Sequence, residues 1–181
     1  MKHTAALGLF IALGTCLSAG PPEPQVDEYQ VKAAFLYNFA KFVQWPPDAF
    51  PSPNEPIAIC ILGQDPFGGS LEVTVAGRAI EGRSLVVRHI SNVRQVAGCH
   101  ILFVSSAENK RSAPTLSEIR TPGILTIGES DASGADGVVI NFRLDGGKVR
   151  FEINMAAAER EKLRISSRLL SLAHIVDPGR K

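Results

Sequence analysis

The stretch I-A-I-C-I-L-G-Q-D-P-F-G-G, Ile57 to Gly69, decides the fold. Its first half is an apolar run with no polar alternation, the pattern of a strand covered on both faces. Its second half is a loop that opens a helix: Asp65 precedes Pro66 at the first helical position, and the segment runs on to Val75. A doubly covered strand leading directly into a helix is the unit of an α/β sheet.

The rest of the chain repeats that alternation. Further strand-like runs are L-V-V-R-H-I (85–90), H-I-L-F-V (100–104), I-L-T-I (124–127), V-V-I-N-F-R (138–143) and K-V-R-F-E-I-N (148–154). The last alternates, with Val149, Phe151 and Ile153 on one face and Arg150 and Glu152 on the other. Asp145-Gly146-Gly147 joins it to the preceding strand as a hairpin. Helices are expected over Ala107–Arg120, Met155–Leu163 and Ser167–Val176, with Asn154 and Ser166 as N-caps of the last two. The fold class is therefore α/β: one three-layer domain over 27–177, with a mainly parallel sheet of about six strands, a terminal antiparallel hairpin and helices on both faces. No internal repeat or second domain is visible.

Upstream, Lys2, the apolar run Ala5–Leu17 and the small residues Ser18, Ala19 and Gly20 read as a secretory signal over 1–20. A proline-rich leader follows over 21–26, and 178–181 is a tail. Leu13-Gly14-Thr15-Cys16 offers a competing lipoprotein reading, anchored at Cys16, although Thr15 suits that motif poorly. Without Lys2, the 19 basic residues become 18, equal to the 18 acidic ones. Zero net charge lacks the electrostatic footprint that nucleic acid demands. Cys60 and Cys99 remain after export, an even number in an oxidising compartment, so they are expected to bridge; two buried free thiols are the alternative. A bridge makes their strands neighbours and gives the order 2-1-3-4, with Ser91–Gly98 a short crossover.

Catalytic signals are weak. The Gly63–Gly69 loop lacks the G-x-G-x-x-G spacing and has Asp65 where an anion would approach, so it reads as a capped turn. His89, His100 and His174 show no metal-ligand spacing, and no metal or cofactor is expected. His100 adjoins Cys99, but a bridged cysteine is no nucleophile. No G-x-S-x-G elbow exists. Arg164, Ser166 and Ser167 stand at a helix N-terminus, where a small anionic ligand could dock; a helix cap with solvated arginines is the plainer reading.

The remaining feature is V-K-A-A-F-L-Y-N-F-A-K-F-V-Q-W-P, Val31 to Pro46, which reads as one helix opened by Asp27 and Glu28 and closed by Trp45-Pro46-Pro47. At about 100° per residue, Phe35, Phe39 and Phe42 share one arc. Tyr37 falls opposite with Ala33, Ala40, Lys41 and Gln44, which suggests an outer face that a partner could cover, with tyrosine as anchor and Trp45 as its roof.

This helix, I-C-I-L-G-Q-D-P-F with C-H-I-L-F-V, and R-F-E-I-N-M-A-A-A with L-R-I-S-S-R-L-L-S-L-A resemble the YfiR-like periplasmic regulators, in order and over nearly the whole mature chain. The resemblance implies a non-enzymatic protein, commonly a homodimer, that restrains an inner-membrane diguanylate cyclase of the YfiN type by binding its periplasmic sensor region. It also implies a bridge at Cys60 and Cys99, with redox control of repression. Some relatives carry a second cysteine pair later in the chain, absent here, and relatives often show a phenylalanine with paired glycines where this chain has Gly134–Gly137. Tyr37, Lys41, Trp45 and Glu152 are the expected partner contacts.

Overall fold

A computed structural model describes residues 27–105, 116, 119, 122–130 and 137–176. The expected signal, leader and tail lie outside them, as do most of the helix expected over 107–120 and most of the 134–137 turn.

Asp27 starts α1 (Glu28–Phe42) by accepting the Tyr29 N–H on its carboxylate at 3.0 Å, and the helix ends where Val43 turns extended. Then come β1 (Val43–Gln44), a 3-10 turn at Pro47–Ala49, β2 (Ile57–Leu62), α2 (Ser70–Val75), β3 (Ala79–Ile80) and β4 (Arg83–Ile90). A second 3-10 turn at Val93–Gln95 leads to β5 (Ile101–Val104), β6 (Leu125–Glu129), β7 (Ile140–Asp145) and β8 (Lys148–Asn154). The chain closes with α3 (Met155–Arg160), β9 (Arg164–Ile165), α4 (Ser167–Leu170) and β10 (His174–Val176).

The main sheet has eight strands in the order β10-β8-β7-β6-β5-β2-β4-β3. Its centre, β4-β2-β5-β6-β7, is parallel. The order expected for its first four strands is the order found. β7 and β8 form the expected antiparallel hairpin, pairing Asp145 with Lys148 across Gly146 and Gly147. Both glycines take positive φ, 55° and 75°, as a two-residue hairpin turn requires.

Strand alternation sorts the core into two faces. Ile59, Ile61, Ile101, Phe103, Leu125 and Ile127 meet α1, α2, α3 and α4 on one side. Cys60, Leu62, Leu102 and Val104 meet Val96, Cys99 and Ile124 on the other, with Leu116 and Ile119 packed against them. Cys60 and Cys99 are bridged there, with Cα atoms 5.8 Å apart.

Four local expectations need correction. The helix expected from Pro66 begins only at Ser70, because Gly68 and Gly69 take left-handed φ values of 56° and 88° and hold the segment in a turn. The helix over Met155–Leu163 stops at Arg160, though Asn154 caps it as expected through a 2.9 Å bond from the Ala157 N–H. The helix over Ser167–Val176 stops at Leu170, and residues 174–176 instead pair in parallel with β8. That pairing supplies partners to backbone groups that an open edge would leave exposed.

The fourth correction concerns the buried face of α1. Ala33 and Ala40, expected outside, are 0% and 1% exposed, whereas Phe35 and Phe42 are only partly buried. The face is rotated toward Leu36 because α1 is covered on two sides, by the sheet and by α2. Its alanines give the neighbouring layer close approach, while Phe35 reaches round to Phe142 and Phe151 with centroids 6.0 and 5.3 Å away.

Candidate functional site

A two-residue ladder frames one of the clefts. β1 and β9 pair antiparallel, Val43 with Ile165 and Gln44 with Arg164, and the Ser166 N–H donates to the Phe42 carbonyl at 2.9 Å. This fastens the exit of α1 to the C-terminal segment. Around it opens a cleft of about 580 Å³ whose lining includes Lys41, Phe42, Trp45, Phe50, Arg83 and Arg164, with Ser166 at its edge and Glu81 as its one carboxylate.

Two expectations from separate parts of the sequence thus meet in one place: Lys41 and Trp45 from the partner set, Arg164 and Ser166 from the ligand set. Arg164 is exposed, and Gln44 is its ladder partner. Arg83 lies over Phe50 at 4.0 Å and donates to the Ser52 and Glu55 carbonyls at 2.9 and 2.8 Å. Lys41 reaches over Tyr37 and Phe42, at 5.6 and 5.8 Å from the ring centroids. The Ser166 hydroxyl accepts the Leu169 N–H at 3.3 Å as the cap of α4, and Ser167 is exposed. Since α4 has four residues, the local dipole is small.

Tyr37 stands just outside the cleft, half-buried, with the Arg78 guanidinium 4.7 Å from its ring. It is therefore not the centre of an open helix face. Glu152, expected to point outward, is 5% exposed, because β8 is an interior strand between β7 and β10; it accepts from Arg143 at 2.8 Å.

The cleft's aromatic wall is fixed from behind by His100. Phe50 stacks on its ring at 4.2 Å, and the Trp45 indole N–H donates to its carbonyl at 3.2 Å. The Ala58 N–H donates to Nδ1 at 3.1 Å, so Nδ1 is bare and Nε2–H donates to the Ala49 carbonyl at 3.1 Å. Burial holds this imidazole below its ordinary value. Below about pH 6.5 the unfolded chain takes a proton that the folded one refuses, so stability falls as pH drops from there toward the lower folded value. His100→Gln should flatten that dependence, seen as a smaller difference between urea midpoints at about pH 7.5 and about pH 5.5.

Two charged clusters lie elsewhere. Lys32 is 4% exposed and is paired with Glu28 and, at 2.6 Å, with Glu129 at the end of β6. Asp65, Glu72 and His89 converge at the loop before α2, on α2 and on β4, with ligand-type atoms all within 4.8 Å of one another. Sequence reasoning missed both. Glu28 and Lys32 are four apart on α1, but Glu129 is 97 residues further on and meets them only because α1 packs on the sheet, while the parallel register of β2 with β4 brings His89 to Asp65 and Glu72.

Among the described residues no helix is long and apolar enough to cross a membrane. The model of the family described as YfiR/HmsC-like matches residues 29–174. No curated protein matches the chain.

Proposed function

The chain belongs to the YfiR/HmsC-like family, and from that premise we propose that it is an exported regulator that restrains an inner-membrane diguanylate cyclase of the YfiN type by holding its periplasmic sensor region in the inactive shape. The family match over residues 29–174 carries this reading. The cleft beside β1 and β9 supplies the surface, with Trp45, Lys41 and Arg164 as contacts and Tyr37 at the margin. Glu152 is not part of that lining: it is buried and accepts from Arg143, which lines a separate pocket with Tyr29, Lys32 and Glu129.

Restraint of this kind is a difference in affinity between two conformations, since equal affinity shifts nothing. A preference of about 2–3 kcal/mol, roughly 30- to 150-fold, is an ordinary coupling. The bridge gives redox sensitivity a physical route: Cys99 adjoins His100, against which Trp45 and Phe50 are placed. Reduction would loosen that wall and relieve repression. A homodimer belongs to the same reading and is checked by light scattering on the mature chain. No bond-making step is involved.

Deletion of the gene should raise cyclic di-GMP, and the wild-type gene should restore it. Lys41→Glu with Arg164→Glu should bind the cyclase's purified periplasmic region at least about tenfold more weakly, with unchanged thermal stability, because both side chains are at the surface. Unaltered cyclic di-GMP on deletion, or full binding by the folded double variant, would defeat the reading.

The charge of the same cleft favours one second reading. Three cations against one carboxylate suit a small anionic ligand held by Arg164 with Ser166, and Ser167, exposed, follows directly outside the lining. It requires stabilisation of the protein by anionic metabolites that vanishes in Arg164→Ala.

A further inference from the structure

We propose that Asp65, Glu72 and His89 form a binding site for a zinc-like divalent cation. The three come from separate elements: Asp65 from the loop after β2, Glu72 from the first turn of α2, and His89 from β4 opposite Ile61 of β2. Their placement is set by the sheet register and by the turn that delays α2 to Ser70.

The geometry around His89 brings two carboxylates to one imidazole nitrogen. Its Nε2 lies 3.2 Å from Asp65 Oδ2 and 3.7 Å from Glu72 Oε1. One N–H can serve the first of these, and the second is beyond hydrogen-bond length. Two carboxylates therefore converge on an atom that can donate to one. A Zn²⁺ ion holds nitrogen and carboxylate oxygen at roughly 2.0–2.2 Å, which puts tetrahedral ligands about 3.3–3.5 Å apart, close to the separations here.

Two further features support the assignment. Glu72 Oε2 is enclosed and has no hydrogen-bond partner, although the Glu72 side chain as a whole is 41% exposed. Asp65 is already oriented, because its Oδ1 accepts the Phe67 N–H at 2.8 Å and leaves Oδ2 toward His89. A ligand pinned through its other oxygen is the usual second layer of a metal site. One nitrogen with two carboxylates, and no thiolate, selects a borderline first-row ion over Mg²⁺ or Ca²⁺, which prefer all-oxygen shells. Three protein ligands leave a fourth position to water. Bound there, the ion would clamp α2 to β4, on the side of α1 where Arg78 covers Tyr37.

The test uses the untagged, exported, bridge-intact protein after chelator treatment, titrated with Zn²⁺ by calorimetry and followed by thermal unfolding. One saturable equivalent and a raised melting temperature are expected, with Mg²⁺ giving neither. Glu72→Gln and Asp65→Asn each preserve shape and should weaken Zn²⁺ binding at least about tenfold while leaving the metal-free melting temperature within a degree or two. Co²⁺ should give visible absorption bands that His89→Gln abolishes. No saturable Zn²⁺ binding by the wild type, or equal binding by the Asp65→Asn, Glu72→Gln and His89→Gln triple variant, would overturn the site.

Discussion

Lys32→Ala should lower the unfolding free energy by about 3–5 kcal/mol, the range for breaking a buried ion pair from one side. The ammonium is almost fully enclosed, held by Glu129 at 2.6 Å and by Glu28, and it lies 4.5 Å from the Tyr29 ring. Burial alone would lower the Lys32 pKa, but the bonds from Glu129 and Glu28 prevail and raise it, so the charge is kept. Removing the cation takes from Glu129, 9% exposed, the ammonium it pairs with at 2.6 Å, while its bond from the Tyr29 hydroxyl at 3.3 Å stays. The loss is read from urea unfolding at neutral pH as a lower midpoint with unchanged slope. Lys32→Met with Glu129→Leu should recover most of it, because the double change takes both buried charges out together. A single-variant loss under about 1 kcal/mol would show that water reaches the pair.

Opening the bridge should cost about as much. Cys60 and Cys99 are 39 residues apart, and closing a loop of that size contributes about 4 kcal/mol through the entropy of the unfolded chain. Cys60→Ala with Cys99→Ala keeps the packing of a small side chain and so isolates the link, whereas serine would add two buried hydroxyls. The unfolding midpoint of the double alanine variant should match that of the reduced wild type. Its Trp45 fluorescence should also shift under native conditions, since His100 loses its neighbouring anchor. An unshifted spectrum would mean that the aromatic wall holds without the bridge.

Period-two and unbroken apolar patterns made the central strands legible, and the two cysteines made their order legible, because a bridge between β2 and the start of β5 leaves few arrangements. What stayed hidden depended on layers that a single segment does not encode. The buried arc of α1 was placed on its phenylalanines, yet α2 covers the alanine side, so Ala33 and Ala40 went inside. Lys32 gave no apolar signal, and its burial follows from Glu129 waiting across the sheet. β10 reads locally as a helical continuation, and only the unpaired edge of β8 makes it a strand. Glu152 followed from that error: Asn141 of β7 flanks it on one side and His174 of β10 on the other, whereas Arg150, which β10 does not reach, is exposed. Lys41, Trp45 and Arg164 were each legible as candidates, but their meeting was not, since it requires the β1–β9 ladder.

That ladder has a temporal consequence. Val43 and Ile165 stand near opposite ends of the folded sequence, so a chain emerging from its N-terminus has the aromatic half of the cleft long before the half that carries Arg164. Contacts of such separation form late, after most of the loop-closure entropy has been overcome. The cleft is thus a completion mark: nascent or C-terminally clipped molecules, however well their sheet has condensed, carry its aromatic half alone.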